Sequence, residues 1–97
     1  MKNLQLPTVG EILKEEFMEP YHISAYFLAK SIGVPVSRIQ DILHDRRAVT
    51  LDTSIRLGKF FGLSERYFLN IQLDIDSRKI HLTSKESLER IIPFKYA

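Results

Sequence analysis

Gly33-Val34-Pro35 must stop one helix, turn sharply and start another, and this constrains the chain more than any other stretch. Gly33 falls just after the last periodic residue of the upstream segment, where a chain leaving a helix often takes positive φ. Pro35 turns the residue before it away from helical geometry. Upstream, Ser24 offers a hydroxyl to the free amides of a helix start, and Phe27, Leu28 and Ile32 give one apolar side. Ala29 is small where that helix must approach a partner. Downstream, Pro35 can open a second helix because a first-turn amide needs no partner, and Ile39, Ile42 and Leu43 form one apolar stripe. Ile23 to Arg47 therefore reads as a helix-turn-helix.

At about 100° per residue, Ser37, Asp41 and His44 point away from that stripe, with Arg38 and Gln40 on its shoulders. An anchored helix with mixed donors and acceptors on its free side, followed by Arg46 and Arg47, suits insertion into a major groove. An ordinary helical hairpin with a solvated face fits the same periodicity, and periodicity alone does not choose between the two.

The chain of 97 residues can form one domain with a single modest core. Its 44% hydrophobic and 27% charged residues are ordinary for a globular chain, and no stretch approaches the roughly 18 apolar residues of a membrane span. Met1 to Gly10 lacks a signal-peptide layout, and there are no cysteines for disulfides or thiolate metal sites, so the expected compartment is the cytoplasm.

A formal net charge of +2 is small, so its distribution matters more. Residues 1–23 carry two lysines against four glutamates, whereas residues 24–66 carry seven Lys/Arg against four Asp/Glu. The positive excess lies in and just after the helix-turn-helix, where a polyanion needs it.

Thr8 and Glu11 fit a capping box for a first helix whose apolar face is Ile12, Leu13, Phe17 and Met18 and which ends near Glu19, before Pro20. Its acidic outer side should face away from phosphates. Thr50 can cap a helix over Leu51 to Phe61 that stops at Gly62, with Leu51, Ile55, Gly58 and Phe61 on one side and Gly58 at a close approach. Ser64 can cap a fifth helix from near Glu65, in which Tyr67, Phe68, Leu69, Ile71 and Ile75 spread over more than one stripe. That surplus points to a second chain as well as the domain's own core. Beyond Asp76 the pattern loosens, and Ile80-His81-Leu82 alternates as a short extended piece. Thr83 with Glu86 is another possible capping box, and a short last helix is expected from Ser84 to Ile92. Phe94 and Tyr96 need a pocket to stay ordered.

The stretch G-E-I-L-K-E-E-F-M-E-P at residues 10–20, then L-A-K-S-I-G-V-P, T-L-D-T-S-I-R-L-G-K-F-F-G and Y-F-L-N-I-Q, together resemble a HigA-type (VapI-like) antitoxin of the XRE, Cro/repressor-like class. The similarity runs from Gly10 to Gln72. It implies an all-α, five-helix lambda-repressor-like DNA-binding domain over residues 1–76, with residues 77–97 as an extension bearing a short helix. It also implies a homodimer that represses its own operon on double-stranded operator DNA and neutralises a HigB-like mRNA-cleaving toxin. Dimer contacts would involve Tyr67, Phe68, Ile71, Ile75 and the tail. No cofactor, metal or membrane is implied. The chain departs from the family at Val36, often basic or polar, at His44-Asp45, usually Asn-Gly, and at Thr8-Val9-Gly10-Glu11, in place of His-Pro-Gly-Glu. Asp45 then stands at a position expected to take positive φ.

Under this reading Ser37, Arg38, Gln40 and Asp41 face base edges, with Val36 against a thymine methyl. Arg38 suits guanine, Gln40 adenine and Asp41 cytosine. Ser24, Tyr26, His44, Arg46 and Arg47 would hold phosphates, Ser24 with the help of the first helical amides.

Other classes compete with this reading. For an enzyme, His22, His44 and His81 are isolated, the adjacent Glu15 and Glu16 diverge on a helix, and there is no glycine-rich phosphate loop. A free-standing XRE-family repressor, or an interaction module that has lost DNA binding, remains open, the latter because Asp41 and Asp45 lie near the groove face.

Overall fold

A computed structural model describes residues 6–96 of the chain. Lys2 and part of the Met1 to Gly10 segment lie outside the described residues. Six α-helices follow one another, and the described residues contain no strand. They are α1 (Val9–Ile12), α2 (Ala25–Ile32), α3 (Val36–Leu43), α4 (Leu51–Phe61), α5 (Tyr67–Thr83) and α6 (Lys85–Glu89).

Thr8 and Glu11 form the expected capping box, each side chain taking the other's backbone amide, at 3.0 and 3.1 Å. The helical path continues beyond α1 as a wide π-turn over Leu13–Met18 and a tighter 3₁₀ turn over Glu19–Tyr21 that contains Pro20. The helix thus passes its expected end near Glu19. The reversal comes at His22, which adopts a left-handed φ of 56°. Ile23 then returns its amide to the Met18 carbonyl at 2.9 Å, which delivers the chain to the start of α2.

The core draws on every helical segment from α1 to α5 and on the loop before α4. Leu13, Leu28, Ile39, Leu57 and Phe68 are fully buried, and Val9, Met18, Ala29, Ile32, Ile42, Val49 and Ile75 complete the cluster. Phe17 meets Phe61, Tyr67 and Phe68 with ring centroids 5.2–5.8 Å apart, in the tilted and edge-on geometries that aromatic quadrupoles favour. This cluster locks the end of the first helical segment against α4 and α5.

Polar groups inside the core are paired. The Ser54 hydroxyl donates to the Glu65 carbonyl at 2.7 Å and accepts from the Leu69 amide at 2.9 Å, tying α4 to the beginning of α5. The buried face of α4 is Thr53, Ser54, Leu57 and Gly58, whereas Leu51, expected on that side, is exposed. Gly58 makes the expected close approach: a Cβ there would lie 2.5 Å from the Ser64 carbonyl oxygen. The Ser64 hydroxyl accepts from the Arg66 amide and its carbonyl from the Tyr67 amide, each at 3.1 Å, and helical geometry begins after Arg66, at Tyr67.

The C-terminal part differs most from expectation. Ile80-His81-Leu82 is helical, not extended, and α5 runs unbroken through the 76/77 boundary to Thr83. An Asp74–Arg78 ion pair at 3.2 Å spans one turn there, and no glycine or proline interrupts the run, so a three-residue alternation carries less weight than continued helix. Thr83 belongs to α5, its hydroxyl donating to the Lys79 carbonyl, and so does not cap the next helix. The last helix shrinks from the expected Ser84–Ile92 to Lys85–Glu89, because it has no side-chain cap and buries no residue. Phe94 and Tyr96 find each other, at 5.0 Å between ring centroids, rather than a pocket.

Candidate nucleic-acid interface

The turn between α2 and α3 is built as its sequence requires. Ser24 accepts the Phe27 amide at 3.0 Å and starts α2. Gly33 closes it with φ of 76°, returning its amide to the Ala29 carbonyl at 2.9 Å, and the Val34 amide joins the same carbonyl at 3.0 Å. Pro35 sits extended at φ −63° and ψ 145° as the residue before α3, one position outside the helix it was expected to open. Ala29 is completely buried where the two helices meet.

The inner side of α3 is fixed from two directions. Ile39 and Ile42 are buried in the core, and Leu43 is half-buried beside it. From the other side Gly10 of α1 lies against the end of α3 so closely that any Cβ would overlap the Ile42 carbonyl oxygen. α3 is therefore held from both sides.

Its free side carries part of the expected set. Ser37 and His44 are exposed, whereas Asp41, expected to point outward with them, is half-buried, as are Arg38 and Gln40 on the flanks and Val36, which packs against the core. Three of these side chains are already engaged, those of His44, Asp41 and Arg38, the last with its Nη1 3.6 Å from the Asp52 carboxylate of α4. His44 Nδ1 lies 2.8 Å from the Gln40 carbonyl oxygen, closing the helix. Asp41 Oδ1 accepts from Arg46 Nε at 3.1 Å and stands 3.0 Å from its Nη2. Asp45 takes the expected positive φ, 60°, and swings the chain so that the Arg46 amide reaches the Asp41 carbonyl at 2.7 Å.

The phosphate set divides in the same way. Ser24 and Tyr26 are exposed at the start of α2, with Lys30 Nζ 5.7 Å from the centre of the Tyr26 ring. Arg47 is exposed and, among the described residues, has no ion-pair partner, whereas Arg46 is paired with Asp41. The loop that carries both arginines is anchored by Gln72 of α5, whose Oε1 accepts the Val49 amide at 3.1 Å.

Two residues of this neighbourhood escaped the sequence reading. Asp52 and Arg56 form a one-turn ion pair on α4 at 3.1 Å, and Arg38 of α3 stands 3.6 Å from the same carboxylate. The acid-then-base spacing of four on a helix is a readable signal. The link to α3 is tertiary and is not.

Of the four residues expected at a dimer contact, two are corrected. Phe68 at 0% and Ile75 at 6% exposure are inside this chain's own core and offer no surface to another. Tyr67 and Ile71 pack against the core but keep part of their surface. The free apolar surface of α5 is instead at Leu82, Leu73 and Ile80, which are 74%, 53% and 52% exposed. No helix is long and apolar enough to cross a membrane, among the described residues.

An all-helical bundle that displays α3 after a glycine-closed turn defines a helix-turn-helix protein. A family profile described as Helix-turn-helix matches residues 14–68. Virulence-associated protein I of Dichelobacter nodosus is 40% identical over 91 residues, covering 92% of this chain and 83% of that protein. A solved addiction module antidote protein of the HigA family from Coxiella burnetii is 36% identical, with a TM-score of 0.83 over 91% of this chain and 97% of that one. A Pseudomonas aeruginosa antitoxin HigA, solved with the higBA promoter, superposes with a TM-score of 0.85 at 27% identity over 94% of this chain and 100% of that one. The chain belongs to the helix-turn-helix family of virulence-associated protein I and HigA-type antitoxins. The family is not enzymatic.

Proposed function

We propose that this chain is the DNA-binding antitoxin of a toxin–antitoxin module. It binds double-stranded operator DNA, represses its own operon and neutralises a HigB-like mRNA-cleaving toxin in the cytoplasm. The observation that carries this reading is the shared fold with an antitoxin solved on promoter DNA, combined with an α3 whose polar side is free of the protein's own core. In this reading α3 enters the major groove. Ser37, Arg38 and Gln40 meet base edges with the Val36 methyls beside them, and Asp41 reads cytosine only when it parts from Arg46. Ser24, the first amides of α2, Tyr26, His44 and Arg47 hold the flanking phosphates.

The active unit we propose is a homodimer, because two copies of α3 read two half-sites one helical turn apart. Tyr67, Ile71, Leu73 and Ile80 supply apolar surface for that contact, and the aromatic tail adds Phe94 and Tyr96.

The test is fluorescence-anisotropy titration against the DNA upstream of the gene and a scrambled control at physiological salt. Preferential binding to the upstream DNA is expected. Equal, weak binding to both sequences leaves an interaction module without DNA reading. Co-expression with the neighbouring toxin gene tests the second half of the proposal, with rescue of growth as the expected result.

A further inference from the structure

Arg38, Asp52, Arg56 and the carbonyl of Ile32 form one chain of polar contacts across three helices. Arg56 Nη1 donates to the Ile32 carbonyl oxygen at 2.8 Å, satisfying one of the orphan acceptors at the end of α2. Its Nε lies 3.1 and 3.3 Å from the two oxygens of Asp52. Asp52 Oδ2 in turn stands 3.6 Å from Arg38 Nη1. The Arg56 guanidinium lies directly over the turn of the helix-turn-helix, since a Cβ on Gly33 would be 3.3 Å from its Nη1.

We propose that Asp52 is a positioning residue that aims Arg38 at a guanine edge, with Arg56 holding Asp52 in place. The inference rests on the DNA-reading function proposed above. The distances divide the labour. Arg56 takes Asp52 through its Nε, shared between the two carboxylate oxygens, and the longer contact to Arg38 is an ion pair that orients the guanidinium without consuming its donors. Arg38 therefore keeps the planar fork that a bidentate guanine contact needs. A long arginine side chain left to rotate freely pays its ordering cost when it binds, and one already aimed does not. Asp52 also lies in the first turn of α4, where the helix dipole stabilises a carboxylate. Paired with two cations, it adds little repulsion toward nearby phosphates.

The experiment compares operator with scrambled DNA by competition titration for the wild-type protein, Asp52→Ala, Asp52→Glu, Arg38→Ala and the Arg38→Ala/Asp52→Ala double variant. Asp52→Ala should cut the preference for operator about tenfold, the worth of one good base contact, while binding to scrambled DNA rises because two arginines are released. Asp52→Glu should restore most of the preference. In the Arg38→Ala background, removing Asp52 should change the ratio no further. Thermal melts accompany each variant, and Asp52→Asn replaces any that is unfolded at the assay temperature. A ratio that survives Asp52→Ala, or that falls equally with and without Arg38, overturns the positioning role alone. A wild-type protein without operator preference overturns the DNA reading and this role with it.

Discussion

Arg46 reaches back five residues to Asp41, and the two side chains meet through Nε at 3.1 Å and Nη2 at 3.0 Å. A side chain proposed to read a base is thereby bound to a cation expected to hold phosphate, so each would have to leave the other to serve DNA. The left-handed Asp45 between them makes the contact possible, by folding the chain back over the end of α3. The pair lowers the positive charge that the reading head offers to any phosphate backbone.

Breaking this pair should therefore trade selectivity for affinity. With Asp41→Ala, Arg46 is released, and binding to scrambled DNA is expected to tighten while the operator preference falls. The slope of log affinity against log salt should steepen by about 0.9, one additional phosphate contact. Anisotropy titrations at several salt concentrations measure both quantities, and an unchanged slope would mean that Arg46 does not reach a phosphate when freed.

Arg47 and Gln40 should separate cleanly into affinity and specificity. Arg47 is exposed and unpaired among the described residues, so Arg47→Ala should weaken binding to every sequence and flatten the salt slope by about 0.9. Gln40→Ala should instead cost about 1–3 kcal/mol of discrimination at one base pair and leave binding to scrambled DNA nearly unchanged. Equal losses on operator and scrambled DNA for both variants would remove Gln40 from the base-reading set.

How far the sequence alone could lead depended on the range of the interaction. Local chemistry was legible: the Thr8 capping box, the Ser24 and Thr50 caps, the Gly33 and Gly62 stops and the positive φ at Asp45 all stand where their side chains require. So was the close approach at Gly58. Features set by tertiary contact were not. The apolar residues of α5 read as shared between the domain's own core and a second chain, but nothing local divides them: Phe68 is consumed by the ring cluster around Phe17, and Ile75 completes the same chain's core. Residues 80–82 look like a strand fragment only when the one-turn ion pair and hydrogen bonds that continue α5 are left out. Asp41 and Arg46 were assigned separate roles because their contact depends on a reversal that composition does not show.

The position of α3 should depend on a residue that touches no DNA. Gly10→Ala forces a methyl group into the Ile42 carbonyl oxygen, and since that neighbour is backbone, α1 and α3 must move apart. Overpacking of this kind costs about 1–3 kcal/mol. At about 4–8 °C of melting temperature per kcal/mol for a domain of this size, calorimetry will resolve it easily. Operator preference should fall as well, because the side chains proposed to read bases ride on α3. A variant with a lower melting temperature and an undiminished preference would show that α1 stabilises the domain without setting the pose of the reading helix.

The corrected surface of α5 leads to a prediction about assembly that distinguishes core from interface. Phe68→Ala should destabilise the protomer by about 3–5 kcal/mol, since it empties a fully buried ring site. Leu73→Asp with Ile80→Asp should leave the protomer folded, because both positions are about half exposed and outside the core, yet should disrupt the proposed dimer. Light scattering coupled to gel filtration measures the mass of each variant, and circular dichroism its fold. The double variant is expected to be monomeric with unchanged helix content, and on DNA it should bind a half-site as well as the wild-type protein while losing the advantage of a full operator. A double variant that remains dimeric would leave the contact to the other proposed residues, Tyr67 and Ile71, where a substitution such as Ile71→Asp makes the same test.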